Sequence, residues 1–389
     1  MKTVTLAKKK EKLPLSHHPW VFSGAIAEKG EAAPGEIVRV VTSEDKFIAY
    51  GHLGSRAQVA MHLLEWDERA VVDGAWFTKK IHDAVARRTP LRERADTDAV
   101  RLIYSESDLL PGLIVDQYTD VLVVMILTPG MDALRQVIID ALISAVSPKA
   151  IYERSDAHAA KAEGMTAHEG LLYGALPPEI VIHENGRKFI CDVAEGQKTG
   201  FFLDQRENRR IAASFTQGRT LDCFCYTGGF SMSMASRAAS MTVVDSSAAA
   251  LDILKKNAGL NGLSLPDENI ITANAFEYLR GVKKDSFDTI VLDPPKLAPS
   301  RSAVPKALRA YKDVNLSAMK CLSPGGMLIT FSCSGGVSRE EFRTVISWAA
   351  KDAHREVQFI HALSQAEDHP VRASFPESEY LTGEVCRVI

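Results

Sequence analysis

Two short apolar runs each end in residues capable of chemistry. Residues 287–292 are followed by Asp293-Pro-Pro-Lys296, and residues 325–331 are followed by Ser332-Cys333-Ser334. Both runs are rich in Ile, Val and Leu, which is typical of buried parallel strands. Residues 306–322 between them carry apolar side chains at helical spacing, so a right-handed strand–helix–strand crossover is expected.

This crossover predicts that Asp293 and Cys333 lie side by side at the carboxyl edge of a sheet, because neighbouring strands are ~4.8 Å apart. Open α/β sheets bind their ligands at that edge. An acid can hold the polar edge of a flat ring, and a thiolate can attack an electron-poor ring carbon. The alternatives are a thiol that acts as a small core side chain and an acid that caps the next element. The strand-end position, and the two prolines behind Asp293, favour chemistry.

A second group of residues indicates an adenosine-type cofactor. Residues 221–231 read LDCFCYTGGFS, and the glycines precede a helix, where a ligand can approach the backbone. The next strand ends at Asp245, 23 residues after Asp222 (245 minus 222), where an acid commonly holds a ribose. The alternative is an ordinary glycine turn with a helix-capping acid. The loop lacks both GxGxxG, which argues against NAD, and GxxxxGK[ST], which argues against a P-loop.

The rest of the chain predicts a multi-domain α/β protein. Its 389 residues, 46% of them apolar, are enough for two or three cores. Short β-like runs over 1–72 indicate a small barrel, 73–193 an α+β middle domain, and the strand–helix rhythm over 194–389 a doubly wound sheet. Asp204 and Glu207 form a capping-box pattern that predicts a helix over 203–214. Residues 179–182 and 188–193 are expected to form a hairpin around Asn185-Gly186, and residues 357–363 and 384–389 are expected to pair at the edge of the sheet. Within 1–72, four strands are predicted, over 4–7, 36–41, 47–52 and 58–65.

Basic residues gather in two places. The first twenty residues carry five lysines and one acid, and one side of the helix predicted over 73–94 is basic. The net charge is -3, so any nucleic-acid affinity must come from such local patches. A solvated arm is the alternative reading of the lysines. The basic residues of the predicted helix are Lys79, Lys80, Arg87, Arg88, Arg92 and Arg94.

The six cysteines form no CxxC pair, so neither a metal site nor a disulfide framework is predicted. Their pattern favours the reducing cytoplasm. No run approaches the ~18 apolar residues of a membrane helix. The first ten residues lack the apolar stretch of a signal peptide.

Taken together, the motifs resemble those of class I S-adenosylmethionine methyltransferases, and most of all the bacterial 23S rRNA (cytosine-C5) methyltransferases of the large-subunit methyltransferase I type. The resemblance covers essentially the whole chain and implies a PUA-like barrel, an α+β middle domain and a Rossmann-like catalytic domain. It is carried by LDCFCYTGGFS (221–231), VDS (244–246), DPPK (293–296), FSCS (331–334), YERSD (152–156), GQKTGFFLDQR (196–206), YKDVN (311–315) and DHP (368–370).

The resemblance implies S-adenosyl-L-methionine as cofactor and catalytic roles for Cys333 and Asp293. Asn274 stands where an acid commonly meets the adenine amino group, and its amide oxygen can accept that bond. Lys296 stands where a second cysteine occurs in another group of RNA cytosine-C5 methyltransferases, and its role is unassigned. Capping of a helix is the alternative for Asp204. The implied cofactor-binding residues are Phe201, Asp204, Arg206, Asp222, Tyr226, Thr227, Gly228, Asp245, Ser246, Asn274, Ala275 and Asp293.

The implied partner is 23S rRNA, held by its phosphates on the PUA-like domain and the basic helix. The target cytosine would turn out of its stack, Cys333 would attack C6, and Asp293 would hold the N3/N4 edge. Water, Asp293 or another side chain would remove the C5 proton. Rival interpretations are a guanine-nitrogen methyltransferase, which needs no thiol, a catalytically silent RNA-binding or ribosome-assembly factor, and a nicotinamide dehydrogenase. A homodimer cannot be read from the sequence.

Overall fold

The computed structural model describes residues 1–55, 58–194, 196 and 199–389. The chain forms two compact units. Unit 1 comprises Met1–Ile182, Cys191–Phe201 and Asp368–Ser378, and unit 2 comprises His183–Ile190, Phe202–Glu367 and Glu379–Ile389. The domain boundaries predicted after residues 72 and 193 remain a proposal. Among the described residues, no helix has the length and apolarity needed to cross a membrane.

The first part of unit 1 is a six-stranded sheet in the order β2-β6-β5-β4-β1-β3. Its core contains fully buried Val4, Val38 and Leu63. The four predicted strands are present, and two further strands of three residues each were too short to show an alternating pattern. The elements are β1 (Lys2–Leu6), α1 (Lys12–Leu15), β2 (Trp20–Phe22), β3 (Ile26–Glu28), β4 (Ile37–Val41), β5 (Phe47–Leu53) and β6 (Val59–Glu65).

The second part of unit 1 is a five-stranded sheet in the order β11-β10-β9-β8-β7. The predicted helix over 73–94 is two helices, because Asp73 caps the first at the Trp76 N–H and Pro90 lies in the first turn of the second. Strand β11 was not predicted. The elements are α2 (Gly74–Arg87), α3 (Thr89–Arg92), β7 (Ala99–Tyr104), β8 (Leu113–Tyr118), β9 (Val121–Ile126), α4 (Pro129–Ala133), α5 (Arg135–Val146), β10 (Ala150–Arg154), α6 (Ala157–Ala162) and β11 (Glu169–Gly174).

The basic side chains predicted on α2 and α3 have hydrogen-bond or ion-pair partners within unit 1. Arg88 is buried and makes two 2.7 Å hydrogen bonds to Asp108, which also accepts from Arg87 at 3.0 Å. Lys80 lies 3.5 Å from Glu65. The other basic side chains of this face also have partners: Lys79 with Asp83, Arg92 with Gln117 and Arg94 with Asp96. The RNA contact expected of this helix remains a proposal, and any phosphate would have to compete with these internal partners.

A buried histidine pair joins the two sheets of unit 1. His52 of β5 lies opposite His62 of β6, and His62 lies 3.6 Å from Glu106 and 3.8 Å from Glu163. The Trp20 indole N–H donates to Glu106 at 2.9 Å. Burial opposes a charge on His62, but the two carboxylates outweigh it and raise its pKa to about 9. Burial and the neighbouring His62 lower the pKa of His52 to about 3.

A two-stranded hairpin follows, with β12 (Val181–Glu184) and β13 (Arg187–Ile190). Its turn residues, Asn185 and Gly186, both have positive φ, 49° and 76°. Asparagine and glycine tolerate this conformation, and a two-residue hairpin turn requires it at both positions. The predicted Asn-Gly hairpin is confirmed.

Unit 2 is a seven-stranded doubly wound sheet in the order β16-β15-β14-β17-β18-β20-β19, which confirms the predicted fold class. Strands β14 to β18 pair with one another in parallel. β20 is antiparallel to its two neighbours, β18 and β19. The elements are α7 (Arg206–Phe215), β14 (Arg219–Cys223), α8 (Gly229–Met234), β15 (Ser240–Asp245), α9 (Ala248–Leu260), β16 (Ile270–Thr272), α10 (Ala275–Gly281), β17 (Phe287–Leu292), α11 (Val304–Cys321), β18 (Leu322–Ser332), α12 (Arg339–Asp352), β19 (Val357–Ser364) and β20 (Thr382–Val388).

The last two strands pair with each other as predicted, but only β19 is an edge strand. β20 lies between β18 and β19, with Ser332 opposite Thr382. Helix α11 packs against the sheet through fully buried Tyr311, whose ring meets that of Phe342 at 5.4 Å. Burial of such large rings, worth about 1.5–3 kcal/mol each, fixes the crossover between β17 and β18.

Candidate active site

Asp293 and Cys333 lie at the same edge of the sheet on neighbouring strands. β17 and β18 pair in parallel with Leu292 opposite Thr330, and each of the two residues directly follows its strand. The Cys333 thiol lies 3.7 Å from the Pro294 carbonyl oxygen. The predicted crossover thus brings these residues together, and their catalytic roles remain a proposal.

The two serines that flank Cys333 hold this arrangement. Ser334 Oγ accepts the Ala298 N–H at 3.0 Å and lies 3.0 Å from the Tyr311 hydroxyl oxygen. Ser332 Oγ accepts the Ser334 N–H at 3.4 Å. Ser334 therefore ties the loop that leaves Asp293 to the strand end that carries Cys333. Sequence reasoning gave these serines no role.

Cys333 differs from the other cysteines in its exposure. All six cysteines lie in the described part of the chain and are free thiols, and only Cys333 is partly exposed. Burial raises the pKa of Cys321 to about 11 and raises the pKa values of the other four buried cysteines well above their usual range. The buried thiols are therefore poor nucleophiles.

Gln205 holds the carboxylate of Asp293 and was missed from the sequence. Its Nε2 donates to Asp293 Oδ1 at 3.0 Å, and its Oε1 accepts from Asn208 Nδ2 at 2.6 Å. Because Asn208 can only donate from its Nδ2, the Gln205 amide must present its NH₂ group to Asp293. Gln205 is buried, which strengthens both bonds. The one available signal was its position beside Asp204.

The predicted capping box is wrong. Helix α7 begins at Arg206, and its N-cap residue, Gln205, makes no side-chain cap bond. Asp204 lies in a short 3₁₀ turn, Leu203–Gln205, and accepts a hydrogen bond from the Tyr380 hydroxyl. The Asp204 carboxylate therefore binds Tyr380, which is distant in sequence, instead of capping the helix. Glu207 instead pairs with two arginines, Arg206, which is fully buried, and Arg210.

The loop after β14 has unusual backbone geometry. Phe224 and Tyr226 have φ of 62° and 49°, and Gly228 has φ of 88°. Positive φ is uncommon for non-glycine residues and is concentrated at functional sites. A Cβ on Gly228 would lie 2.9 Å from Leu254 Cγ, so glycine is required there. Thr227 is buried, and its Oγ1 has no hydrogen-bond partner among the described residues.

Asp245 holds this loop in place. One carboxylate oxygen accepts the Tyr226 N–H and the other accepts the Ser247 N–H, both at 2.9 Å. Each carboxylate oxygen has a further lone pair, so the side chain can also accept from a hydroxyl pair. The backbone-capping role and the proposed ribose-binding role are thus compatible.

Asp222 is buried, and its carboxylate interacts with the charges of Asp293 and Asp245. Its carboxylate accepts from Ser231 Oγ at 2.5 Å. Burial raises its pKa to about 7, the charges of Asp293 and Asp245 add to the effect, and the hydrogen bonds from Ser231 oppose it. This carboxyl group lies close to the glycine loop that is predicted to bind the cofactor, and it can exist in either protonation state near neutral pH.

The remaining predicted cofactor residues have different surroundings. Asn274 Oδ1 caps α10 by accepting the N–H groups of Phe276 and Glu277, at 2.9 and 3.3 Å. The amide oxygen expected to meet adenine is therefore engaged, and the Nδ2 group remains as a donor. Ala275 is buried in the first turn of α10, and Ser246 is exposed.

Phe201 belongs to unit 1, unlike the other predicted site residues. Its N–H donates to the Tyr118 hydroxyl at 3.2 Å, and that hydroxyl lies 2.7 Å from Thr199 Oγ1. Gln197 and Lys198 of the GQKTG stretch lie outside the described residues. Lys296 is exposed, and the described part of the structure assigns no role to its side chain.

Comparison with known proteins identifies the family. Residues 4–66 match the PUA-like domains, and residues 112–378 match a family described as S-adenosylmethionine-dependent methyltransferase. The second match covers more than half of the chain. The chain belongs to the S-adenosylmethionine-dependent methyltransferases.

Relatives that match nearly the whole chain identify a narrower family. The methyltransferase is 43% identical over 378 residues to a Shewanella denitrificans protein and 41% identical over 392 residues to a Citrobacter koseri protein. Both are named Ribosomal RNA large subunit methyltransferase I, and the matches cover 95% and 99% of each chain. A solved structure of a candidate methyltransferase complexed with SAH superimposes with a TM-score of 0.86 at 19% identity, covering 100% of both chains, which shows a shared fold. A second solved structure, from Streptococcus mutans, gives 0.84 at 19% identity with the same coverage.

The residues at the sheet edge fit S-adenosylmethionine. Gly228 leaves the backbone of its loop open to close approach. The buried Thr227 hydroxyl lacks a partner among the described residues, and Asp245 has acceptor capacity for ribose hydroxyls. This donor and acceptor set suits the nucleoside part of the cofactor.

Proposed function

We propose that this methyltransferase methylates C5 of a cytosine in large-subunit ribosomal RNA. The names of its full-length relatives support ribosomal RNA as the substrate. The observation that carries the proposal is the partly exposed Cys333 beside Asp293 at the carboxyl edge of the sheet. S-adenosylmethionine supplies an electrophilic methyl group. A cytosine C5 is a poor nucleophile, so a thiol beside it has a chemical purpose, whereas a ring nitrogen of guanine needs none.

Cys333 would act as the nucleophile. Its thiolate forms a bond to C6 of the cytosine ring, and the C5=C6 electron pair moves to make C5 nucleophilic. Asp293 hydrogen-bonds the N3/N4 edge: one oxygen accepts from the N4 amino group, and a proton carried by the carboxyl group is donated to N3, where the negative charge develops. Gln205 holds the Asp293 carboxylate in orientation through its 3.0 Å hydrogen bond. After C5 has gained its methyl group, loss of the C5 proton and cleavage of the C6–S bond restore the aromatic ring.

The PUA-like domain would supply part of the RNA contact. Lys8, Lys9, Lys10 and Lys12 are exposed on its N-terminal segment. Such side chains bind phosphates without reading sequence. Because the basic side chains of α2 and α3 are paired internally, this lysine segment is the better candidate for the phosphate contact.

The test is a Cys333→Ala variant incubated with ribosomal RNA and labelled S-adenosylmethionine, followed by nucleoside analysis. We expect 5-methylcytidine from the unaltered protein and none from the variant, while cofactor binding measured by calorimetry is retained. Cys321→Ala, which removes a buried thiol, is the matched control and should keep activity. Full methylation by Cys333→Ala would refute the nucleophile assignment. A methylated guanine would refute the cytosine proposal, and absence of cofactor binding would favour a catalytically silent factor.

A further inference from the structure

We propose that Tyr380, acting with Asp204, removes the C5 proton after methyl transfer. This inference rests on the proposed cytosine-C5 reaction and names the base that the reaction requires. It is carried by the order of the strands, by the contacts of the two side chains, and by the surroundings of the other acids at the same edge.

The strand order places Tyr380 on the side of Cys333 that is opposite Asp293. β18 lies between β17 and β20 in the sheet. Asp293 follows β17, Cys333 follows β18, and Tyr380 stands two residues before the start of β20. Because β20 runs antiparallel, its beginning lies at the same edge as the ends of the other two strands. The three residues therefore follow one another across neighbouring strands ~4.8 Å apart.

Local contacts fix Tyr380 at this edge. A Cβ on Gly335, two residues after Cys333, would lie 3.4 Å from the Tyr380 Cβ. The Tyr380 N–H donates to Gln365 Oε1 at 3.1 Å. The Tyr380 hydroxyl donates to Asp204 Oδ2.

Asp204 belongs to the same loop that holds Asp293. It is 3% exposed, and its backbone carbonyl accepts the Ala366 N–H at 2.9 Å. The next residue, Gln205, donates to Asp293. Asp204 thus holds Tyr380 on one side of the end of the Cys333 strand, and Gln205 holds the Asp293 carboxylate on the other side.

A ring placed in this arrangement directs C5 away from Asp293. When N3 and N4 of cytosine face Asp293 and C6 is bonded to Cys333, the C5–C6 side of the ring lies toward the opposite side of the strand end, where Tyr380 stands. Asp293 is engaged with the N3/N4 edge and with Gln205, and Asp222 is 1% exposed behind the glycine loop. Lys296 is exposed, and an ammonium group can only donate.

The proton moves in two linked transfers. The C5–H bond breaks, and its proton passes to the Tyr380 oxygen while the phenol proton passes to Asp204 Oδ2. The electron pair of the C5–H bond forms the C5=C6 double bond, and the pair of the C6–S bond returns to the Cys333 sulfur. The products are 5-methylcytosine, a thiolate and a protonated Asp204, which then loses its proton to water.

The test uses Tyr380→Phe, which keeps the ring and removes only the hydroxyl, and Asp204→Asn as a second variant. Full-length protein is given ribosomal RNA that carries tritium at cytosine C5. In both variants we expect tritium release at least about 100-fold slower than in the unaltered protein, the loss expected for a missing general base. In the first turnover, methyl transfer should continue, so a methylated protein–RNA adduct resistant to SDS should accumulate. Tyr173→Phe, an exposed tyrosine in unit 1, is the control and should release tritium normally.

Unchanged tritium release in Tyr380→Phe would overturn the inference. So would an equal loss of methyl transfer and tritium release without an adduct, because that indicates a structural role. RNA containing 5-fluorocytidine separates this outcome from failure of the proposed function, since fluorine cannot leave as a proton does. If that RNA forms no adduct at Cys333 with the unaltered protein, the proposed function fails. If the adduct forms while Tyr380→Phe releases tritium normally, only the assignment of the base fails.

Discussion

Replacing Gln205 by alanine should slow methyl transfer without unfolding the protein. The change removes one hydrogen bond to the Asp293 carboxylate and leaves the Asn208 amide without its acceptor. A hydrogen bond to a charged group contributes about 1.5–3 kcal/mol. If Asp293 stabilises charge in the transition state, kcat/KM should fall about 10- to 100-fold, because about 1.4 kcal/mol corresponds to a factor of ten.

Gln205→Glu should be more damaging at neutral pH. It replaces the donor by a carboxylate whose oxygen would lie near the 3.0 Å position now taken by Nε2, facing Asp293. At an effective dielectric constant of about 20, the repulsion at that separation is about 5 kcal/mol before relaxation. This repulsion raises the pKa of the new carboxyl group. Below that pKa the group is a neutral O–H donor, so activity should partly recover as the pH falls.

Single-turnover methyl transfer to ribosomal RNA between pH 5.5 and about 8.5 would measure both effects. Gln217→Ala is a matched control, because Gln217 is an exposed glutamine that donates to the Gly325 carbonyl at 3.2 Å, at the other end of the sheet. A Gln205→Ala protein with normal kcat/KM, or a Gln205→Glu protein whose pH profile matches that of the unaltered protein, would refute the proposed role of this hydrogen bond.

Three further predictions concern the cofactor loop and unit 1. Gly228→Ala should weaken S-adenosylmethionine binding at least about tenfold in calorimetry, because φ is 88° and the added Cβ would lie 2.9 Å from a leucine Cγ; normal affinity would contradict the close-approach role. Asp108→Asn should destabilise unit 1 by about 3–5 kcal/mol in urea unfolding, because it leaves buried Arg88 without its charged partner; a loss below 1 kcal/mol, about the value of a surface pair, would show that the pair is solvated. The pKa of His62 is raised to about 9, so its stabilising ion pair with Glu106 is fully present below pH 6.5, the usual histidine value, and is lost as the pH rises through about 9. The melting temperature should therefore fall more between pH 6.5 and pH 9 in the unaltered protein than in His62→Gln, and equal slopes would refute this.

The sequence was sufficient wherever local chemistry determines the structure. The apolar runs before Asp293 and Cys333 are strands, and they are neighbours, as is usual for consecutive strands joined by one crossover. The Asn185-Gly186 turn was predicted for the same kind of reason, because few residues adopt its backbone angles. These features depend on a few residues that are close in sequence.

Contacts between distant residues were not accessible in this way. Asp204 matches a capping box, but its partner is Tyr380, 176 positions away. Gln205 shows no motif, because its role depends on the place where Asp293 emerges from another strand. The buried ion pair of Arg88 was equally invisible, since its partner, Asp108, lies on another element. Each error arose where a tertiary partner replaced a local one.

The interior position of β20 also constrains how the enzyme is made. β18, which leads to Cys333, pairs on one side with residues 382–388, and these residues also pair with β19. A nascent chain in which Asp293 and Cys333 have emerged from the ribosome still lacks β20, the strand that completes their sheet. It also lacks Tyr380. Such late, non-local pairing slows folding and leaves unpaired strand edges exposed in the interval. If Cys333 is the nucleophile, as proposed, its surroundings are complete only after the β20 segment has been synthesised and has paired, so a nascent chain without that segment is expected to form no adduct with RNA.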